Sequence, residues 1–159
     1  SMSIADNLSM ASLGQFLKAG FHIDLKREKE AIANAIRNLS IKAKNPDLDV
    51  TSMSGGNQQK VVIGKALMTG PKVLLMDEPS RGIDVGAKAD VFRTMRRLAG
   101  EGLAILFSTS DLEEVMALSD RVAVMSNGRL VMVADRKDAT EDMVISASAE
   151  GHKIKRMHA

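Results

Sequence analysis

The sequence predicts an α/β protein in which a helical lobe is followed by part of a parallel sheet with flanking helices, and three observations carry that reading. The first fifty residues repeat apolar positions at helical spacing. From Lys72 onward short continuous apolar runs alternate with amphipathic stretches, the grammar of a parallel sheet covered on both faces. Finally, Asn127-Gly128, the strongest short turn signal, separates two further β-rich runs.

In chain order, Ser3 with Asp6 three residues on predicts a capping box, after which Ile4, Leu8 and Ala11 recur at helical spacing. A bend follows at Gly20. Leu25 to Leu39 then places Ile32, Ile36 and Leu39 on one face, with Lys26, Arg27, Glu28, Lys29 and Glu30 solvating its start. Asn45, Pro46 and Asp47 break the pattern as a turn does. Val61 to Met68 is helical, Val73 to Met76 a buried strand, and Val85 to Leu98 a helix with Ala89, Phe92, Met95 and Ala99 inward. Leu103 to Phe107 is a second buried strand, Asp111 to Leu118 a helix, and Arg121 to Met125 with Leu130 to Ala134 a hairpin-like pair. No internal repeat and no low-complexity segment interrupts this order.

The 159 residues are one domain's worth of chain and enough to bury a core. Acids nearly balance bases at a net charge of +2, so whole-chain charge does not argue for nucleic acid. The most basic stretch, His152, Lys153, Lys155, Arg156 and His158, could touch anionic lipid or RNA but has no aromatic residue to stack a base, and reads more simply as a frayed, solvated tail. Cysteine is absent, which excludes disulfides and thiolate metal sites. The longest apolar runs fall far short of the roughly 20 residues of a spanning helix, and no leader pattern opens the chain. A soluble protein is expected, with any membrane role exercised through a partner. With four Phe and no Trp or Tyr, the core falls to Leu, Ile, Val and eleven Met, read as adaptable filler.

The sharpest chemical feature is Ser54-Gly55-Gly56-Asn57-Gln58-Gln59-Lys60, which leads straight into the helix from Val61. A serine and two glycines at a helix start leave backbone N–H groups open, and the helix dipole adds about half a positive charge there. That combination suits an anion. Alone, the segment is more often a plain N-cap and turn, but its neighbours change the balance. Seventeen residues beyond Gly56 begins Val73-Leu74-Leu75-Met76-Asp77-Glu78-Pro79, an apolar strand ending in two carboxylates. Such a strand carries both acids to the carboxyl edge of the sheet, where ligands of open α/β folds bind. Asp77 suits a Mg²⁺ ion held through water, and Glu78 suits orienting and deprotonating an attacking water. The plain alternative is a strand-to-turn junction with exposed acids.

Together these segments bring in a family. Ser54 to Lys60 resembles the signature motif of ATP-binding-cassette (ABC) ATPases, Val73 to Glu78 resembles their Walker B strand, and Ser80-Arg81-Gly82-Ile83-Asp84 looks like their D-loop. Val85-Gly86-Ala87-Lys88 continues in the manner of ATP-binding subunits of ribose, galactose and xylose-type importers, as does the Asn-Gln-Gln form of the signature. Ser119 to Met125 followed by Asn127-Gly128-Arg129 is similar to the family's stretch after its switch segment. The resemblance covers nearly the whole chain. It implies a helical subdomain with the signature at residues 1–60, the distal part of a P-loop NTPase (RecA-like) core at 61–139, and a C-terminal helix and tail at 140–159.

Two positions depart from the family's pattern. Met53 stands where Leu is usual, an apolar swap of similar volume. Ser110 stands at the switch histidine and can offer only a hydroxyl hydrogen bond to a γ-phosphate. Ser110 with Glu113 also predicts a capping box for the next helix. In the sugar-importer subfamily this serine-rich form is common in the second of two cassettes, so a carboxyl-terminal cassette is expected. No Gly-x-x-x-x-Gly-Lys-[Ser/Thr] occurs, which predicts a fragment whose P-loop, base-stacking aromatic and glutamine loop lie upstream. Ser1-Met2 reads as a residue left by tag removal ahead of a start methionine.

The resemblance further implies ATP and Mg²⁺ as cofactors. Ser54, Gly55, Gly56, Asn57 and Gln58 would face a nucleotide held by a second cassette, on the same or another chain. Asp77 would hold the metal through water, Glu78 would be the catalytic base, Asp84 would couple the two sites, and Ser110 would sit at the switch position. Its partners would be a transmembrane permease and, indirectly, a periplasmic or extracellular sugar-binding protein, with no nucleic acid. Its place would be the cytoplasmic face of a bacterial cell membrane. Such a protein is an ATPase when intact, while this stretch alone is expected to be inactive. Two rivals remain: a degenerate cassette serving as a regulatory or docking module, and a DNA-repair-type ATPase head, whose long coiled-coil insertion is not visible.

Overall fold

The structure, a computed structural model, describes residues 2–18 and 20–156, with side chains to residue 149. Ser1 and the side chains of the basic tail from His152 to His158 lie outside the described residues. The chain divides into two compact units, Ser1–Ser108 and Thr109–Ala159.

The first unit opens with α1 (Ile4–Ser9), whose N-cap Ser3 forms the expected capping box with Asp6. Ala11 lies past the end of this helix and is exposed, so only Ile4 and Leu8 of the predicted stripe are buried. A short 3₁₀ turn (Leu13–Phe16) leads into a two-residue antiparallel ladder, β1 (Leu17–Lys18) with β2 (His22–Ile23). Next comes α2 (Leu25–Asn38), capped by Asp24, with Ile32 and the following Leu39 buried and Ile36 half-buried. The predicted turn at Asn45 to Asp47 runs back along the chain start, where the N–H groups of Ile4 and Ala5 donate to the carbonyls of Leu48 and Pro46, each at 2.9 Å.

The helix α3 (Gly55–Leu67) begins six residues earlier than its apolar periodicity suggests, so both glycines of the signature segment form its first turn. It packs on α1 through Gly64, where a Cβ would fall 2.6 Å from Leu8 Cδ2 and 3.0 Å from Leu39 Cδ1. That backbone approach lets α1 and α2 bury Leu8 and Leu39 against one helix, and full burial of such a side chain stabilises by about 1.5–3 kcal/mol.

A parallel pair follows: β3 (Val73–Asp77) and β4 (Ala104–Ser108), joined by α4 (Val85–Gly100). Registration runs from Val73 opposite Ala104 to Asp77 opposite Ser108. Two expectations need correction here. The pair is not covered on both faces: Leu74 is buried, whereas Val73, Leu75 and Leu106 are exposed. The inward face of α4 is Val91, Thr94, Met95 and Leu98, while Ala89 and Ala99 are exposed and Phe92 is half-buried. The stripe follows the larger apolar side chains because burial stabilises in proportion to apolar area. Thr94 joins it since its hydroxyl is satisfied by the Asp90 carbonyl at 2.9 Å.

The second unit holds α5 (Leu112–Leu118), the predicted hairpin β5 (Arg121–Ser126) with β6 (Arg129–Asp135), and α6 (Glu141–Arg156). Asn127 and Gly128 form its turn at φ 48° and 74°, left-handed values that a type I′ turn requires. Its core is Val122, Val124 and Ala139 with Val115, Met132, Ala134, Val144 and Ala147 packed around them. Among the described residues no helix is long and apolar enough to cross a membrane.

Candidate functional site

Ser54 is the N-cap of α3 by backbone conformation, yet its side chain caps no N–H. Its hydroxyl instead accepts from the Asn57 side-chain amide at 3.0 Å, while Asn57 Oδ1 accepts from the Lys42 backbone N–H at 2.8 Å. Gln58 donates from Nε2 to the Met53 carbonyl at 2.9 Å. Asn57 and Gln58 therefore build the turn itself, and the Ser54 hydroxyl keeps its proton to donate. Among the described residues, the first helical N–H groups to find a backbone partner are those of Asn57 and Gln58, both bonding to the Ser54 carbonyl. Those of Gly55 and Gly56 are left at the helix start, where the dipole favours an anion.

The glycines have a packing reason as well. A Cβ on Gly56 would meet that of Ala87 at 2.4 Å, and one on Gly55 would lie 3.0 Å from Ile83 Cγ2. The start of α3 thus rests directly on the loop that opens α4. Asp84 is the N-cap of that helix and accepts from the Ala87 N–H at 2.9 Å, after a left-handed Gly82 at φ 76°. Lower on the same interface is a residue that the sequence reading passed over as one letter of a motif. The buried Lys60 places Nζ 3.7 Å from Asp90 Oδ2 of α4 and 3.4 Å from the Ser40 carbonyl. The available signal was its position, since Lys60 falls one helical turn before Gly64 on the face that α3 buries.

Asp77 and Glu78 occupy the carboxyl end of β3, Asp77 exposed and Glu78 half-buried, with Pro79 fully buried behind them. The Ser108 hydroxyl donates to Asp77 Oδ1. The Glu78 N–H donates to the Ser108 carbonyl at 2.9 Å. Glu78 itself has φ 45°, a left-handed value uncommon outside glycine, asparagine and aspartate. Strained backbone of this kind costs of order 1–3 kcal/mol and clusters at functional sites.

The oxygen donors here, two carboxylates and a hydroxyl, suit Mg²⁺ rather than a thiolate- or imidazole-seeking metal. Among the described residues no cluster of three His, Cys, Asp or Glu could enclose an ion.

In the second unit the predicted capping box at Ser110 is replaced by a cap one residue later. Asp111 accepts from the N–H groups of Glu113 and Glu114, at 2.9 and 3.4 Å. A carboxylate is an equal or better cap than a hydroxyl and wins the position. The Thr109 hydroxyl donates to the buried Glu114 at 2.8 Å and accepts from the Asp111 N–H at 3.1 Å, fixing the backbone on either side of Ser110.

A family model described as ABC transporter matches residues 1–81. A ribose import ATP-binding protein of Geobacillus kaustophilus is 40% identical over 152 residues, 96% of this chain. A xylose import ATP-binding protein of Pectobacterium atrosepticum is 39% identical over 147 residues, 92% of this chain. The chain spans 31% and 29% of the lengths of these two relatives. Among solved structures, an ATP-binding cassette of an ABC transporter superposes with a TM-score of 0.74 at 23% identity, covering 100% of this chain and 63% of that one. A Clostridium perfringens protein that is part of an ABC transporter complex gives 0.72 at 24%, covering 99% and 61%.

Proposed function

The chain belongs to the ABC transporter family, and from that premise we propose that it forms the signature- and acid-bearing part of an ATPase subunit that couples ATP hydrolysis to sugar import through a membrane permease. The observation that carries this reading is the start of α3, where the exposed Ser54 hydroxyl and Gly55 amide remain available to donate, next to the buried Gly56. The ribose and xylose import relatives supply the sugar class.

Residues 1–60 are the helical subdomain ending in the signature, residues 61–139 the distal RecA-like core, and residues 140–159 the C-terminal helix and tail. Ser54, Gly55 and Gly56 donate to the γ-phosphate of a nucleotide held by a second cassette, with Asn57 and Gln58 fixing the turn that presents them. A helix N-terminus acting this way stabilises charge by position alone, which is most of what phosphoryl transfer requires. Asp77 would hold a Mg²⁺ ion, and Glu78 orients the attacking water and takes its proton. Bound Mg²⁺ would neutralise charge on the phosphates. Asp84, at the head of α4 and beside the signature helix, links the two nucleotide sites, and Ser110 offers a hydroxyl at the switch position. The helical lobe presses on the permease from the cytoplasmic face of a bacterial membrane. A sugar-binding protein outside the membrane acts only indirectly.

The test is a graft. This chain replaces the aligned stretch of the Geobacillus kaustophilus ribose import protein, which is reconstituted with its permease, and ATP hydrolysis is measured. Glu78→Gln should lower the rate on the order of 10²-fold or more, as loss of a general base does. A docking module without catalysis would show equal rates for the native and Glu78→Gln grafts and would sink the reading. The 159-residue chain alone has no Gly-x-x-x-x-Gly-Lys-[Ser/Thr] and should neither turn over ATP nor bind it tightly in calorimetry.

A further inference from the structure

Ser108 closes β4 opposite Asp77, at the last in-register pair of the parallel ladder. Its side chain and its main chain do different things there. The hydroxyl donates to Asp77 Oδ1, and among the described residues it is the one hydrogen-bond partner of that carboxylate. The carbonyl accepts from the Glu78 N–H at 2.9 Å, one step beyond the last paired residues. That bond holds Glu78 where its backbone has turned left-handed, at φ 45°.

We propose that Ser108 is a positioning residue for the acid pair: its hydroxyl selects one rotamer of Asp77 for a divalent cation's water shell, and its carbonyl sets the direction in which the Glu78 side chain leaves the strand. This rests on the reading of Asp77 as the metal-side acid and Glu78 as the base. An exposed carboxylate with no partner samples its staggered wells. A hydroxyl donating to an ionised oxygen forms a charge-assisted bond, stronger than a neutral one, and picks one well. The acid pair is therefore preset by the neighbouring strand before any nucleotide arrives. Threonine at position 108 keeps both functions, whereas alanine keeps only the carbonyl.

The experiment uses the full 159-residue chain in solution. Three-bond couplings report the Asp77 χ1 population, amide exchange reports the Glu78 N–H, and Mn²⁺ alone serves as paramagnetic probe at the Asp77 and Glu78 amides. Asp77 should occupy a single staggered well in the native chain and in Ser108→Thr. In Ser108→Ala it should average over the wells, cutting Mn²⁺ broadening about threefold as the productive well falls to about a third occupancy. The Glu78 amide should stay protected in all three. An averaged Asp77 in the native chain or in Ser108→Thr, or an unchanged one in Ser108→Ala, overturns the proposal. The native and threonine measurements decide it even if Ser108→Ala does not fold. If instead Asp77 is ordered through Ser108 but Mn²⁺ leaves both amides unbroadened, the metal reading of Asp77 fails, and the positioning role fails with it.

Discussion

Gly56 lies against Ala87 so closely that a methyl group added to its α-carbon would sit 2.4 Å from the Ala87 Cβ. The first turn of α3 and the first turn of α4 are thereby locked together by the absence of one carbon. Gly56→Ala should destabilise the chain by about 1–3 kcal/mol through overpacking, read as a lower urea midpoint at unchanged slope. Removing the opposing methyl should undo part of it. The double variant Gly56→Ala, Ala87→Gly is expected to be less unstable than the two single effects added together.

Lys60 bridges the same two helices, with its side chain 8% exposed and that of Asp90 39% exposed. Truncation in Lys60→Ala should cost about 2–3 kcal/mol, chiefly from the buried stem. Lys60→Met, which keeps that volume and removes the ammonium, should cost under about 1.5 kcal/mol. Denaturant unfolding of both variants checks the order. Equal losses would mean that the charge, not the packing, dominates.

Asp24 supplies a pH dependence. The Lys18 ammonium, 2.9 Å from its Oδ2, and the Arg27 N–H hold its carboxyl below the ordinary carboxylate value. A depressed folded value means that this stabilisation is complete above the unfolded value of about 4 and is lost as pH falls through the lower folded one. Asp24→Asn should therefore be less stable than the native chain at neutral pH. The gap should close below about pH 4. Stability curves of both proteins across that window read the effect, and a gap independent of pH would contradict it.

Asp111 caps α5 through two backbone N–H groups. Asp111→Ala should cost about 0.5–2 kcal/mol, while Asp111→Asn, which keeps the accepting oxygen, should cost only a few tenths. Thermal unfolding distinguishes the two.

Much of this was legible in the sequence because it rests on local periodicity or on single residues with one conformational use. Ser3 with Asp6 and Asn127-Gly128 specify a helix start and a hairpin turn by side-chain geometry alone. The start of α3 was not legible in the same way, since Gly55 and Gly56 are poor helix formers whose helical conformation comes from packing on Ala87 and Ile83. The α4 face was misjudged by following alanines, whose small area decides little. At Ser110 two adjacent cap-forming residues competed, and only three-dimensional structure showed that Asp111 took the role. The two-residue ladder of β1 and β2 is too short to leave a pattern. As for the acid pair, the residues were evident from Val73 to Glu78, and the parallel partner strand was expected at Leu103 to Phe107. What the sequence does not carry is the register that sets Ser108 opposite Asp77, 31 positions away.

The left-handed backbone at Glu78 has a consequence for how this protein can evolve. Glycine would relieve the twist and firm up the fold, yet it would delete the carboxylate; a branched residue would lose on both counts. With Glu78 as the proposed base, thermal robustness and chemical competence therefore pull in opposite directions at one site. Lineages under selection for heat tolerance should find their gains elsewhere in the chain and leave this cramped corner alone.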